Sequence, residues 1–298
     1  MDFFLSVSTT GIIMGIIYAL MALGLTLIYS ILGIVNFAHG EFYMMGGYAS
    51  YLILSAVTGV HPLLVVPLAG LAGALFGLLF ELLFLRPIHQ DRIERPDEYA
   101  ILVTFGLSFF LINLTLALVG PYPHRPDSFF RGTVDVFGLV NVSADRLTAS
   151  ALSLLLLGGL LLIINKTWIG KALRAVSQDK QAAAVVGIDS LRMNSIAFAV
   201  GAGLAALAGA LLAPSFSVTP DVGAQPSIRS YVIIVLGGMG SIKGSIFGGL
   251  IIGLVESLAA GYFPDPSRGL KYKTAFGLII FMLVLLFRPT GLFGREEE

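Results

Sequence analysis

Residues 7–31 read Val7-Ser8-Thr9-Thr10-Gly11-Ile12-Ile13-Met14-Gly15-Ile16-Ile17-Tyr18-Ala19-Leu20-Met21-Ala22-Leu23-Gly24-Leu25-Thr26-Leu27-Ile28-Tyr29-Ser30-Ile31, twenty-five positions without a charged side chain. A bilayer core about 30 Å thick is crossed by about 20 apolar residues in a helix, so this stretch reads as one membrane crossing. Comparable runs follow at 42–58, 62–85, 99–119, 147–165, 193–213, 228–258 and 272–287. They tile the chain and leave no room for a separate soluble domain. The expected fold is an all-α polytopic membrane protein, one transmembrane domain over 1–298, with eight helices, or nine to ten if the Gly-rich seventh run is broken.

Composition agrees: 56% of the residues are hydrophobic and 12% charged, against about 25% charged in ordinary soluble domains. The 18 Lys and Arg cancel the 18 Asp and Glu. That removes the basic excess nucleic-acid binding requires. The absence of cysteine excludes disulfides, thiol nucleophiles, Cys-ligated zinc and iron–sulfur clusters. The four histidines (His39, His61, His89, His124) form no HExxH, and no paired Asp lies within a span, so neither a metal site nor a proteolytic centre is expected. Gly238-Met239-Gly240-Ser241-Ile242-Lys243-Gly244-Ser245 superficially resembles a phosphate loop, but a Walker motif places the lysine after its last glycine. Met1-Asp2-Phe3-Phe4 carries no Lys or Arg before the first run, so a cleaved signal peptide is not expected.

Orientation is read from Lys and Arg in short loops. Loop 86–98 holds Arg86, Arg92 and Arg95, and loop 166–192 holds Lys166, Lys171, Arg174, Lys180 and Arg192. The opposing loop 120–146 holds three, Arg125, Arg131 and Arg146. The first two loops are therefore expected in the cytoplasm and the N-terminus outside.

Small residues recur four apart in Gly73-Ala74-x-x-Gly77, in 201–209 and in Gly244-x-x-x-Gly248-Gly249-x-x-x-Gly253. Such rows let helix backbones approach closely in lipid. Leu32-Gly33 and Gly40 match Leu236-Gly237 and Gly244 at an offset of 204, and Leu85-Arg86-Pro87 matches Phe287-Arg288-Pro289 at 202. This is a candidate internal repeat, with 33–47 and 237–249 as corresponding discontinuous elements of the kind that line substrate paths. Ionisable groups in the apolar regions are His39, Glu41, Glu81, Glu256, Lys243 and Lys273. Each is a candidate by its cost in lipid, although Glu81 is placed to pair with Arg86 and Asn36 to serve as a helix N-cap. The path candidates are Asn36, His39, Glu41, Gly237, Gly240 and Glu256.

The stretch 170–188 reads as a short amphipathic helix closed by Gly187, with Leu173, Val176, Ala183 and Val186 at helical spacing. Its Gln181-Ala182-Ala183-x-x-x-Gly187 resembles the EAA loop by which ABC-transporter permeases dock on their ATPase, with glutamine where that loop has glutamate and without its usual Leu-Pro ending. Arg174, Gln181, Ala182, Ala183 and Gly187 are the candidate docking residues.

Gly24-Leu25-Thr26-Leu27-Ile28-Tyr29-Ser30, Asn36-Phe37-Ala38-His39-Gly40-Glu41-Phe42, Leu236-Gly237-Gly238-Met239-Gly240-Ser241, Gly253-Leu254-Val255-Glu256-Ser257 and Arg288-Pro289-Thr290-Gly291-Leu292-Phe293-Gly294 together resemble the branched-chain amino acid ABC-transporter permeases of the LivH type, over about 11–294. Lys243 departs from the family, which commonly has proline there. The resemblance implies a type II ABC importer fold and a non-enzymatic transport subunit in a prokaryotic cytoplasmic (inner) membrane. It implies as partners a LivM-like second permease, two cytoplasmic ATP-binding subunits and an extracytoplasmic solute-binding protein. ATP and magnesium would be used by the ATP-binding subunits, and this chain would bind no cofactor. The implied substrate is leucine, isoleucine, valine or a related neutral amino acid. Related permeases carry urea or short amides, and composition alone leaves open an ion-coupled carrier using Glu41 and Glu256.

Overall fold

The computed structural model describes residues 2–57, 59–90, 93–136 and 140–294. Arg92 and Arg295 lie outside them. Among the described residues eleven α-helices follow in order: α1 Asp2–Leu32, α2 His39–Ala56, α3 Pro62–Phe80, α4 Pro96–Leu118, α5 Ala144–Lys166, α6 Trp168–Gln178, α7 Lys180–Val185, α8 Ser190–Leu212, α9 Ala224–Gly237, α10 Ile242–Tyr262 and α11 Pro266–Phe287. A π-helical turn, Glu81–Leu85, and a 3-10 turn, Arg86–Gln90, continue α3. Between α4 and α5, β1 Thr133–Val136 pairs antiparallel with β2 Val140–Ser143, in the register Thr133 opposite Ser143.

Seven of these segments among the described residues are long and apolar enough to cross a bilayer: Phe3–Leu32, Pro62–Gln90, Pro96–Leu118, Ala144–Lys166, Ser190–Leu212, Ile242–Tyr262 and Ser267–Phe287. The chain is a multi-pass membrane protein. The shorter α2 and α9 pack within the same bundle, α2 against α8 and α9 against α1 and α10. The expected seventh span, 228–258, is broken into α9 and α10 at Gly238 and Gly240, whose φ angles of 98° and 80° suit residues without a Cβ.

Contacts define two ends. At one, Lys180 Nζ donates to Leu32 O, Gly240 lies over Ser30, and Leu292 N–H donates to Leu236 O. At the other, Phe3 meets Tyr262 and His124 pairs with Val218. The proposed repeat lines up with this layout. Pro62 and Pro266, 204 residues apart, both open helices (α3 and α11), and His39 and Ile242 open α2 and α10.

The glycine rows are where backbones touch. A Cβ on Gly46 would strike Ala206 O, and one on Gly209 would strike Tyr43 O, so α2 and α8 cross backbone to backbone. Gly249 sits on Ala19 and Gly253 on Gly11 and Gly15, which seats α10 on α1. Lipid supplies no hydrophobic drive between helices, so this close packing holds the bundle together. Gly209→Val is expected to cost about 3 kcal/mol by overpacking against rigid backbone. Gly158→Val, with no atom within 4 Å of the added Cβ, should change nothing. The thermal midpoint of the detergent-purified protein distinguishes the two, and equal midpoints would refute the packing assignment.

Candidate translocation site and coupling loop

The site begins where α1 stops. Gly33, at φ 77°, donates its N–H to Tyr29 O, and the chain turns back into the bundle. His39 Nε2 donates to Met21 O at 3.0 Å, a carbonyl about 16 Å before the end of α1 at 1.5 Å per residue. The first turn of α2 is therefore deep inside, and 33–38 is an interior elbow. Asn36 Oδ1 accepts from Ala38 N–H at 3.0 Å. That is an Asx turn, and it corrects the N-cap reading: Ala38 is the N-cap and makes no side-chain bond. The Asn36 carbonyl accepts from His39 N–H and from Tyr231 OH at 2.6 Å.

Helix α4 runs beside this elbow. Thr104 Oγ1 accepts from Phe37 N–H at 3.2 Å, and Ser108 donates to Glu41 Oε1 at 2.8 Å. Asn36, His39 and Glu41 are all buried. Among the described residues, Asn36 Nδ2, His39 Nδ1 and Glu41 Oε2 have no hydrogen-bond partner. Next to them is a partly exposed aromatic wall: Phe37 packs edge-on to Phe105 (6.5 Å) and lies 5.8 Å from Tyr231, and Phe105 packs on Phe109 (5.0 Å). Gly40 and Gly223 touch backbone to backbone, which brings the N-terminus of α9 against the first turn of α2. The N-terminal, positive dipole ends of α2 and α9 thus meet at one place.

The other candidates lie elsewhere. Gly237 packs on Gly244, and Gly240 is in the turn over Ser30; that second break is at a bundle end and is not an interior elbow. Lys243 is exposed. Glu81 does not pair with Arg86. The π-helical turn directs it inward, where it accepts from Ser195 of α8. Glu256, 1% exposed, is held by Arg229 Nε at 2.9 Å and Lys273 Nζ at 3.4 Å. A carboxylate committed to two cations is a poor site for an ion-coupled carrier. Sequence reasoning passed over Arg229, although a charge inside a span was a signal available to it. Ser108 and Tyr231 gave no sequence signal, because only tertiary packing brings α4 and α9 to the elbow.

The loop 166–192 holds two helices where one was expected. Asp179 is extended (φ −154°, ψ 111°) and its carboxylate accepts from Gln181 and Ala182 N–H, so it ends α6 and caps α7. Gly187, at φ 86°, closes α7: its N–H donates to Ala184 O and that of Ile188 to Ala183 O, both at 3.0 Å, the Schellman pattern. Leu173, Val176 and Ala183 face this chain's own core. The expected docking role of Ala183, which is 3% exposed, is therefore corrected. Arg174, Gln181, Ala182 and Gly187 are exposed, together with Val185 at 87% and Val186 at 74%.

The family model described as branched-chain amino acid transport system / permease component matches residues 8–287. The high-affinity branched-chain amino acid transport system permease protein LivH of Salmonella typhimurium is 34% identical, over 99% of this chain and 97% of its own length. The corresponding protein BraD of Pseudomonas aeruginosa is 35% identical, over 96% of this chain and 94% of its own. LivM of Salmonella typhimurium is 27% identical, over 94% of this chain and 68% of its own. With an interior elbow on a broken helix, a capped loop at one bundle end and full-length similarity to LivH and BraD, this chain belongs to the branched-chain amino acid transport system permease component family.

Proposed function

We propose that this permease passes a branched-chain amino acid along the Asn36–Glu41 elbow. It does so within a complex containing a LivM-like second permease, two ATP-binding subunits and a solute-binding protein on the outer side. The end carrying 86–98 and 166–192 faces the cytoplasm by its Lys and Arg excess, in a cytoplasmic (inner) membrane. The ATP-binding subunits use ATP and magnesium, and this chain contributes the path and the docking loop.

One observation carries the reading: the elbow leaves a buried donor, Asn36 Nδ2, and a buried acceptor, Glu41 Oε2, without partners beside an apolar aromatic wall. Buried polar groups are nearly always satisfied, and a zwitterion supplies a carboxylate for the donor and an ammonium for the acceptor. An aliphatic side chain suits the Phe37 and Phe105 rings. Urea has no aliphatic group for that wall and no charge for Glu41. In the reconstituted complex, labelled leucine is expected to accumulate with ATP at least tenfold over urea and a short amide. Urea uptake without leucine uptake would replace the substrate.

A further inference from the structure

A cavity of about 860 Å³, walled mainly by α1, α9, α10 and α11 and completed by Tyr43, Arg146, Leu212 and the 216–222 segment, opens at the end bearing Phe3. Tyr43 of α2 and Val222, Gln225 and Pro226 at the N-terminal end of α9 share its lining, whereas Asn36, His39 and Glu41 do not. On its wall, Arg229 and Lys273 both reach the buried Glu256, and both cations lie over the Tyr18 ring, at 5.3 and 5.9 Å. Two positive charges share one carboxylate. Among the described residues, the remaining charged lining residues, Arg146 and Asp221, cancel, which leaves one positive charge in excess over Glu256. Arg229 is well used, with a 2.9 Å bond to Glu256 and a 3.0 Å bond to Thr274. Lys273 is not: its contacts, to Glu256 Oε2 and Tyr18 OH, are 3.4 and 3.5 Å, beyond the usual range for N–H···O bonds. Val7, Met14, Leu212, Phe216 and Leu270 give the same cavity an apolar strip.

An uncompensated cation inside a membrane protein is costly and marks a binding site when it faces a cavity. We infer that this cavity binds an amphipathic anion, its carboxylate or phosphate head on Lys273 and Arg229 and its aliphatic tail along the Val7–Leu270 strip. The volume exceeds what a single amino acid fills, so a lipid chain fits as well as a free carboxylate. The two sources share this chemistry and are separated by experiment. None of Asn36, His39 and Glu41 lines this cavity, and the inference does not depend on the elbow's substrate.

The test uses the purified complete complex with octanoate and phosphatidylglycerol as probes, read by thermal shift and by native mass spectrometry. Wild type is expected to bind one or both. Lys273→Gln removes the excess charge while leaving the Arg229–Glu256 pair intact, so it should stay folded and bind at least tenfold more weakly, and Lys273→Arg should retain binding. Co-purified phosphatidylglycerol displaced by octanoate assigns a lipid, and octanoate binding alone assigns a free carboxylate. Glu41→Gln should leave both unchanged, which separates this site from the elbow. Binding of neither probe by wild type, or equal binding by wild type and Lys273→Gln, would overturn the inference.

Discussion

Val186→Asp is expected to abolish co-purification of the ATP-binding subunit while the permease remains folded. Val185 and Val186 are 87% and 74% exposed at the end of α7, in a segment with no lipid to cover it if this end faces the cytoplasm. The Schellman closure at Gly187 and Ile188 fixes their direction. An apolar knob held this firmly suits a groove on a partner. An unpaired carboxylate buried in such a groove costs several kcal/mol. About 4 kcal/mol weakens binding roughly a thousandfold. Ala183→Asp should fail differently, because Ala183 is 3% exposed within this chain's own core, and that charge should cost the folded permease itself. Gly187→Val is strained at φ 86° and should tilt the knob, leaving the permease folded but poorly coupled. Co-purification followed by substrate-stimulated ATP hydrolysis in liposomes reads all three. Wild-type retention of the ATP-binding subunit by Val186→Asp would remove this loop as the coupling element.

Glu41→Ala is expected to lower leucine uptake at least thirtyfold without loss of assembly or ATP hydrolysis. The substitution removes the free Oε2 offered to an ammonium group, and a hydrogen bond involving a charge contributes about 2 kcal/mol, some thirtyfold. It also deprives Ser108 of its 2.8 Å acceptor, which the hydroxyl can replace with a carbonyl one turn back in α4, as Thr104 does with Ala100 O. Glu41→Gln keeps an oxygen for Ser108 and loses the charge, so its uptake should fall between wild type and Glu41→Ala. Uptake by both variants at the wild-type rate would take Glu41 off the path. Loss of folded protein in both would make it a packing residue.

The sequence made most of the fold legible because apolar run length is a local property. Gly238 and Gly240 even mark where the seventh span breaks. The interior elbow was only half visible. Gly33 and the polar Asn36-x-x-His39-x-Glu41 pattern indicate an interruption, but that α2 starts beside Met21 depends on a contact across 18 positions. Helical spacing shows that 170–188 has an inner face without showing which way it turns, so the burial of Ala183 is visible only in the structure. The break at Asp179 follows from its capping of Gln181 and Ala182, which competes with helix continuation. The inward place of Glu81 is not legible locally, because the sequence gives no sign of the π-helical turn or of Ser195 opposite it. The Arg229–Glu256–Lys273 cluster joins three helices and has no local signature beyond the charges themselves.

The elbow as translocation path is tested most directly by placing a cysteine at Ser108 in this otherwise cysteine-free chain, opposite Glu41, within the complete reconstituted complex. The rate of modification by a water-soluble thiol reagent is measured with and without leucine-loaded binding protein and ATP. If the path runs here, the cysteine reacts, its rate changes at least several-fold on turnover, and modification stops leucine uptake. A cysteine at 108 that is unreactive in every state, or whose modification leaves uptake at the wild-type rate, would contradict the assignment.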